Sequence, residues 1–150
     1  MEIDFRLAWL APGAAPRKAF KQSAAQELFS EYLKRISRFF PCTAKGTLAR
    51  SEAQSNEVHT WLCDPRGRAL TSDEVAEVLE RFLGGGLRRL EIWVGGPDGF
   101  RKKELDRLEP DLRWSFGPLT FPHELAAVVA AEQFYRALTI LKRQPYHVGH

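Results

Sequence analysis

Apolar and polar residues alternate at the start of the chain, from Ile3 to Trp9. A period of two is typical of a strand whose two faces meet different surroundings. The same alternation returns in three later segments, at residues 58–63, 90–94 and 112–116. The pattern therefore predicts four strands, and Pro65 and Gly67 predict that the second strand ends in a turn at residues 64–68.

Apolar residues spaced by three and four predict helices between the strands. The capping box Thr71-Ser72-Asp73-Glu74 marks the start of one helix, and the glycines at 84–86 mark its end. The other helices are predicted at residues 24–40, with Pro41 as the stop, around residues 105–108, and at residues 122–142 with Pro122 in the first position. Residues 43–56 are small and polar with no clear period, so a loop is expected there.

Strands that alternate with helices predict an α/β fold built on a largely parallel sheet. The chain has 150 residues, which fits one domain over residues 1–150. A domain of this size buries roughly 70% of its unfolded surface. No repeat or linker interrupts the pattern.

Composition excludes several classes of protein. Hydrophobic residues at 44% and charged residues at 27% exclude wholesale disorder. Cys42 and Cys63 lie in no CxxC or Cys/His cluster, and the four histidines show no metal spacing, so neither a disulfide scaffold nor a metal site is expected. The acidic start and the absence of a long apolar run predict a soluble, intracellular protein without an export signal. A formal net charge of +3 permits an anionic partner without requiring one.

Two glycine-containing loops follow predicted strands. Residues 95–99 read Gly-Gly-Pro-Asp-Gly, and residues 115–122 read Ser-Phe-Gly-Pro-Leu-Thr-Phe-Pro. Ligands bind at the carboxyl ends of strands in open α/β sheets, where glycine lets the backbone approach a ligand closely. Neither loop matches GxGxxG or a Walker motif, so each is either a cofactor loop or a plain turn. A hydrolase has no support, because no GxSxG or cysteine nucleophile motif is present.

The last predicted helix carries a second group of candidates. Glu132 and Arg136 are spaced i, i+4 in the order that favours an ion pair on a helix surface. Arg136 is alternatively a contact for an anion or a substrate. His123 lies near the start of this helix, and Tyr146 and His147 are either ordinary tail residues or part of a site.

Three segments of the C-terminal half resemble one known family. They are IWVGGPDGF at residues 92–100, RWSFGPLTFPHELAAVVAAEQFYRALTILK at 113–142 and PYH at 145–147. In this order they are similar to the RlmH family of ribosomal RNA large-subunit methyltransferases, the YbeA-like branch of the SPOUT superfamily. Upstream, CDPRGR at 63–68 and FSEYLKR at 29–35 are similar to that family's turn motif and first-helix signature.

This resemblance implies a fold and a reaction. The implied fold is a mainly parallel sheet with helices on both faces and a deep C-terminal trefoil knot, an exception to the rule that chains do not knot. The implied reaction is methylation of the N3 atom of a pseudouridine in large-subunit ribosomal RNA, on the assembled ribosome, by a cytoplasmic homodimer that uses S-adenosylmethionine. The chain departs from the family's pattern at two places. Residues 43–56 are shorter than the family's second strand and the helix that follows it, and Gly117 replaces a serine that the family often has.

The resemblance also implies which residues form the site. By position in the motifs, the cofactor-binding residues are Leu62, Cys63, Gly95, Gly96, Gly117, Pro118, Leu119, Thr120, Phe121 and Pro122. The residues that match the active-site helix and tail are Glu132, Arg136, Tyr146 and His147. Because N3 must lose its proton, we expect Arg136 to stabilise the anion and His147 to accept or relay the proton.

The sequence is also compatible with three other functions. The chain is alternatively a SPOUT methyltransferase for another RNA, a non-catalytic RNA-binding or ribosome-assembly module, or an α/β protein that binds a small molecule. Binding of RNA without binding of the cofactor would indicate the non-catalytic module rather than an enzyme. Absence of RNA affinity at low salt would indicate the protein that binds a small molecule.

Overall fold

The computed structural model describes residues 1–47 and 56–148. These residues form five strands, four α-helices and one 3₁₀ helix. In chain order the elements are β1 (Glu2–Leu7), a 3₁₀ helix (Pro16–Ala19), α1 (Ser23–Ile36), β2 (Cys42–Gly46), β3 (Val58–Ala69), α2 (Ser72–Leu83), β4 (Arg89–Val94), α3 (Lys102–Leu108), β5 (Leu112–Ser115) and α4 (His123–Leu141).

The five strands run parallel in the order β2-β1-β4-β3-β5. Helices α1, α2 and α4 pack on one face over a core that includes Phe5, Trp61 and Phe134. Helix α3 packs on the other face, where Leu105 contacts a cluster with Leu62. Trp61 and Leu62 point to opposite faces because side chains alternate along a strand. The predicted α/β fold, a parallel sheet with helices on both faces, is confirmed.

Two predicted boundaries were wrong. The second strand does not end at residues 64–68, because β3 continues to Ala69. Its register against β5 shifts between Cys63 and Arg68, which both pair with Trp114. Pro65 and Gly67 therefore mark a bulge inside a strand. The first helix ends at Ile36, before Pro41.

The loop predicted for residues 43–56 was wrong in its first part. Residues 42–46 form β2, which pairs with β1 along its length. Ala44 and Gly46 are buried, whereas Thr43 and Lys45 are exposed. The buried residues are too small to give a visible hydrophobic period, so pairing with β1 decides the strand. Residues 48–55 of the predicted loop lie outside the described residues.

The predicted capping box of α2 is confirmed. The Glu74 main-chain N–H donates to the Thr71 hydroxyl at 3.1 Å, and the Thr71 N–H donates to the Glu74 carboxylate at 3.3 Å. Such a reciprocal pair satisfies two of the unpaired donors at a helix start. Within the described ranges, no helix combines the length and apolar character needed to cross a bilayer.

Candidate functional site

A cleft of about 290 Å³ opens at the carboxyl edge of the sheet. Its walls come from residues 63–65 of β3, the loop 94–99 after β4, residues 114–121 after and within β5, and the first turn of α4. Parallel strands end at the same edge, so segments distant in sequence meet there. His123 and Ala126 line the cleft from α4.

The glycine loop after β4 is tightly folded. The Gly99 N–H donates to the Gly96 carbonyl at 2.9 Å. A Cβ atom at Gly95 would lie 3.1 Å from the Gly99 Cα and 3.2 Å from the Phe100 ring, and one at Gly96 would lie 3.3 Å from the Trp9 Cβ. Both positions therefore favour glycine because neighbouring atoms approach closely.

The loop after β5 is fixed to the bulge of β3. The Ser115 hydroxyl accepts from the Gly117 N–H at 3.1 Å and lies 3.2 Å from the Pro65 carbonyl, which accepts from it. Gly117 has φ +102°, a conformation that side chains rarely adopt. Glycine at this position, where the family often has serine, thus suits the backbone of this chain.

Asp64 anchors the bulge beside the cleft. Its buried carboxylate accepts from the Arg66 N–H groups and from Arg113. Burial raises the pKa of Asp64, but the hydrogen bonds from Arg113 and Arg66 outweigh it and lower the pKa below its ordinary value. A Cβ at Gly67 would overlap the Arg113 backbone carbonyl. The bulge therefore requires glycine there and holds a charged carboxylate at neutral pH.

The predicted cofactor-binding residues divide into two groups. Seven line the cleft, namely Cys63, Gly95, Gly96, Gly117, Leu119, Thr120 and Phe121. Three do not: Leu62 is fully buried under α3, and Pro118 and Pro122 are exposed beside the cleft. Burial raises the pKa of the Cys63 thiol and so favours its protonated form.

The predicted active-site residues form one cluster on the second half of α4. Glu132 accepts from Arg136 Nε at 3.0 Å and from the Tyr146 hydroxyl at 3.1 Å. The Arg136 guanidinium carbon lies 4.9 Å from the centre of the Tyr146 ring, and Arg136 Nη1 lies 3.1 Å from His147 Nδ1. The i, i+4 ion pair expected from the sequence is therefore present, and it also holds the tail against the helix.

Hydrogen bonding defines the state of the His147 ring. Arginine has no acceptor atom, so His147 Nδ1 must accept from Arg136, and in the neutral ring the proton lies on Nε2. Nε2 lies 3.8 Å from a carboxylate oxygen of Asp73 at the start of α2. The ring thus has its acceptor beside Arg136 and its donor towards Asp73.

Two residues of this cluster were not predicted from the sequence. Tyr146 donates to Glu132, so the Tyr32 hydroxyl, 3.2 Å away on α1, donates to Tyr146. Burial, the contact with Tyr32 and the charge of Glu132 raise the pKa of Tyr146. The signature FSEYLKR contains Tyr32, but only the packing of α1 beside α4 brings it to the tail. The other missed residue is Asp73, which the sequence presents as part of a capping box.

The cleft and the cluster lie at different places along α4. Ala126 lines the cleft, and Glu132 and Arg136 follow it by six and ten residues. At 1.5 Å per residue they lie about 9 Å and 15 Å further along the helix axis. The structure therefore brings each predicted group together but keeps the two groups apart within one chain.

The described residues contain no group of three or more histidine, cysteine or acidic side chains that could hold a metal ion.

A parallel α/β sheet with a glycine-walled cleft at its carboxyl edge defines a class of proteins that bind small ligands or cofactors. The family model described as "Predicted SPOUT methyltransferase" matches residues 18–147. Proteins named "Ribosomal RNA large subunit methyltransferase H" are similar as well. The relative from Deinococcus deserti is 38% identical over 127 residues, 79% of this chain and 86% of its own length.

Two further relatives of the same name cover more of the chain. The relative from Deinococcus radiodurans is 36% identical over 142 residues, 89% of this chain and 93% of its own length. The relative from Koribacter versatilis is 38% identical over 139 residues, which are 87% of this chain and 92% of its own length. The class is therefore that of the SPOUT methyltransferases, which are enzymes. The chain belongs to the ribosomal RNA large subunit methyltransferase H family, as its motifs predicted.

Proposed function

We propose that this protein transfers a methyl group from S-adenosylmethionine to the N3 atom of a pseudouridine in large-subunit ribosomal RNA, on assembled ribosomes in the cytoplasm. The observation that carries the proposal is the cleft, since two of its walls are the loops through which the chain resembles its family. The proposal takes residues 1–150 as one domain with the C-terminal trefoil knot that the family implies. The single sheet shared by all described strands supports one domain.

The lining of the cleft fits S-adenosylmethionine. Phe116, Leu119 and Phe121 offer apolar surface to an adenine ring, and the loop 95–99 offers main-chain polar groups to its edge. The exposed carboxylate of Asp98 at the cleft complements a cationic ligand. When bound, S-adenosylmethionine supplies an electrophilic methyl group on a sulfonium centre.

The cluster on α4 fits the other half of the reaction. The N3–H proton of the pseudouridine passes to His147 Nδ1, and Arg136, released from that nitrogen, stabilises the negative charge on the base. Asp73 beside Nε2 stabilises the imidazolium that forms. The deprotonated N3 would then be the nucleophile for the methyl group that S-adenosylmethionine supplies when bound, and the electron pair of the broken S–C bond would stay on the sulfur as a neutral thioether. Glu132 and Tyr146 keep Arg136 oriented.

Replacing Gly96 by valine should abolish binding of S-adenosylmethionine. The branched side chain meets Trp9, whose ring contacts His123 of the cleft at 4.7 Å between centroids, so the cleft wall must shift. Calorimetry measures the binding heat, and circular dichroism verifies the fold. Gly85→Val is the matched control, since a Cβ there meets only ordinary contacts at the end of α2. Wild-type protein without binding heat at millimolar cofactor would refute the methyltransferase proposal.

A homodimer would bring the two separated places together. Reacting atoms must approach to about 3–3.5 Å. Within one chain, the cleft and the cluster are too far apart along α4 for such an approach. Leu119 and Leu125 are 67% and 43% exposed beside the cleft, and such apolar surface favours contact with a second copy. Two-fold symmetry would place the cluster of each protomer at the cleft of its partner.

Mixed dimers test this arrangement directly. We expect two variants that are inactive alone, Gly96→Val and Tyr146→Phe/His147→Gln, to recover activity when their chains are mixed. Half of the randomly formed dimers contain one chain of each variant, and one of the two sites in such a dimer is intact. The mixture should therefore show about a quarter of wild-type activity. Co-expression with two different tags allows the mixed dimer to be isolated. A site formed within one chain predicts no recovery, and light scattering that shows only monomer at tens of micromolar would contradict the dimer itself.

A further inference from the structure

Exposed cations without a carboxylate partner surround the cleft at the carboxyl edge of the sheet. We define the basic ridge as Arg17, Lys18 and Lys21, which follow β1, together with Arg101, Lys102 and Lys103, which follow the glycine loop. All six are exposed. Within the described part of the chain none of them makes an ion pair, unlike Arg66 and Arg113 in the cleft wall. Their charge is therefore available to a partner.

The main chain fixes the first half of the ridge to the cleft. The Trp9 indole N–H donates to the Ala19 carbonyl, and the Trp9 ring contacts His123, which lines the cleft. The Lys21 N–H donates to the buried carboxylate of Glu124, 2.9 Å away at the start of α4. The backbone is thus held in place while the long side chains reach into solvent.

The second half of the ridge begins where the glycine loop ends. Phe100 is buried and packs against Gly95 of the cleft. Arg101 follows it directly, and Lys102 and Lys103 form the first turn of α3. The ridge therefore continues the rim of the cleft rather than forming a separate patch.

The balance of exposed charge differs between the two edges of the sheet. In the loop 95–99 and the first turn of α3 the exposed carboxylates are Asp98 and Glu104, against the six cations of the ridge. At the opposite, amino edge, residues 77–88 and 106–111 carry more exposed carboxylates than exposed cations: the cations are Arg81, Arg88 and Arg107, and the carboxylates are Glu77, Glu80, Asp106, Glu109 and Asp111. A net charge of only +3 over the whole chain conceals this difference.

We propose that the basic ridge binds the phosphate backbone of the RNA that flanks the nucleotide presented to the cleft. The inference rests on the proposed function, which supplies RNA as the occupant. Flexible exposed cations suit phosphates, whose contacts set affinity and orientation independently of sequence. The ridge therefore acts on substrate binding, whereas the cleft and the cluster on α4 act on cofactor and chemistry.

The test removes charge from the ridge without touching the cleft. Arg17→Gln/Lys18→Gln/Lys21→Gln should raise KM for purified assembled ribosomes about tenfold or more and leave kcat and the affinity for S-adenosylmethionine unchanged. The plot of log affinity against log salt concentration should become less steep by about 2, because each phosphate contact contributes about 0.7–0.9 to the slope and three cations are removed. The matched control is Arg81→Gln/Arg88→Gln/Arg107→Gln, which removes three exposed charges from the amino edge and should change KM less than twofold.

The outcomes separate the ridge from the proposed function. Equal weakening in both triple variants, or none in the ridge variant, would overturn the ridge as a docking surface. If the ridge variant lost binding to assembled ribosomes but not to protein-free ribosomal RNA, the ridge would also be overturned as an RNA contact, because it would then contact a ribosomal protein. Sedimentation with ribosomes measures this binding directly. It therefore reports on the ridge even if wild-type protein neither binds S-adenosylmethionine nor transfers a methyl group, which would refute the proposed function alone.

Discussion

The double variant Tyr146→Phe/His147→Gln should lose methyl transfer by about 10²–10⁴-fold, the usual contribution of a positioned acid–base group. The variant removes the proton acceptor at His147 Nδ1 and the hydroxyl that bonds Glu132. Phenylalanine keeps the aromatic ring at position 146, so its packing on Tyr135, with centroids 4.7 Å apart, is retained. Its affinity for S-adenosylmethionine should stay within a few-fold of wild type.

Single-turnover methylation of assembled ribosomes measures the loss, and calorimetry measures the retained affinity. Val148→Ser is the control in the same tail, because Val148 is 76% exposed and should be dispensable. An ordinary tail without a role, the default for polar chain ends, predicts wild-type turnover for the double variant. That result would remove the tail from the mechanism and leave Arg136 and cofactor positioning to account for catalysis.

Replacing Glu91 by alanine should lower the free energy of unfolding by about 3–5 kcal/mol, the usual cost of removing one partner of a buried ion pair. Glu91 is 2% exposed on the α3 face of the sheet. Its carboxylate accepts from Arg6 at 3.2 Å, from Arg89 at 3.1 Å and from the Trp93 indole at 3.2 Å. The substitution takes one carboxylate away from the buried Arg6 guanidinium, which lies 3.4 Å from the Asp4 carboxylate.

Urea denaturation followed by circular dichroism measures this loss. Glu80→Ala is the control, because Glu80 is an exposed acid in the last turns of α2. Exposed substitutions of this kind usually change stability by no more than about 0.5 kcal/mol. Equal, small effects of both substitutions would show that the buried charges of β1 and β4 do not stabilise the fold.

The sequence indicated the two parts of the candidate site unequally well. The loops 95–99 and 115–122 were visible because glycine and proline directly follow apolar strands, and both do border the cleft. Asp64 was visible only as part of a predicted turn, since nothing local shows that Arg113 from another strand bonds its carboxylate. Leu62 follows the motif but faces α3, because one residue along a strand reverses the direction of the side chain.

The contacts of the C-terminal tail were even less visible in the sequence. Motif order pointed to Tyr146 and His147, but a polar chain end by itself predicts no contact. Tyr32 and Asp73 come from α1 and α2 and meet the tail only because both helices pack beside α4. Their contribution depends on which helices are neighbours, and a single sequence does not carry that information locally.

The sequence by itself determined most of the elements and the family of this protein. Periods of two and of three to four residues fixed four of the strands and the helices, and a local hydrogen-bonded pair fixed the start of α2 at Thr71. These features depend on residues close together in the chain. The tertiary structure decided that residues 42–46 form an edge strand, that residues 64–67 bulge, and that the cleft and the cluster lie apart on α4. The physical reason is that each of these features is set by a partner distant in sequence, whose hydrogen bonds and packing outweigh weak local preference.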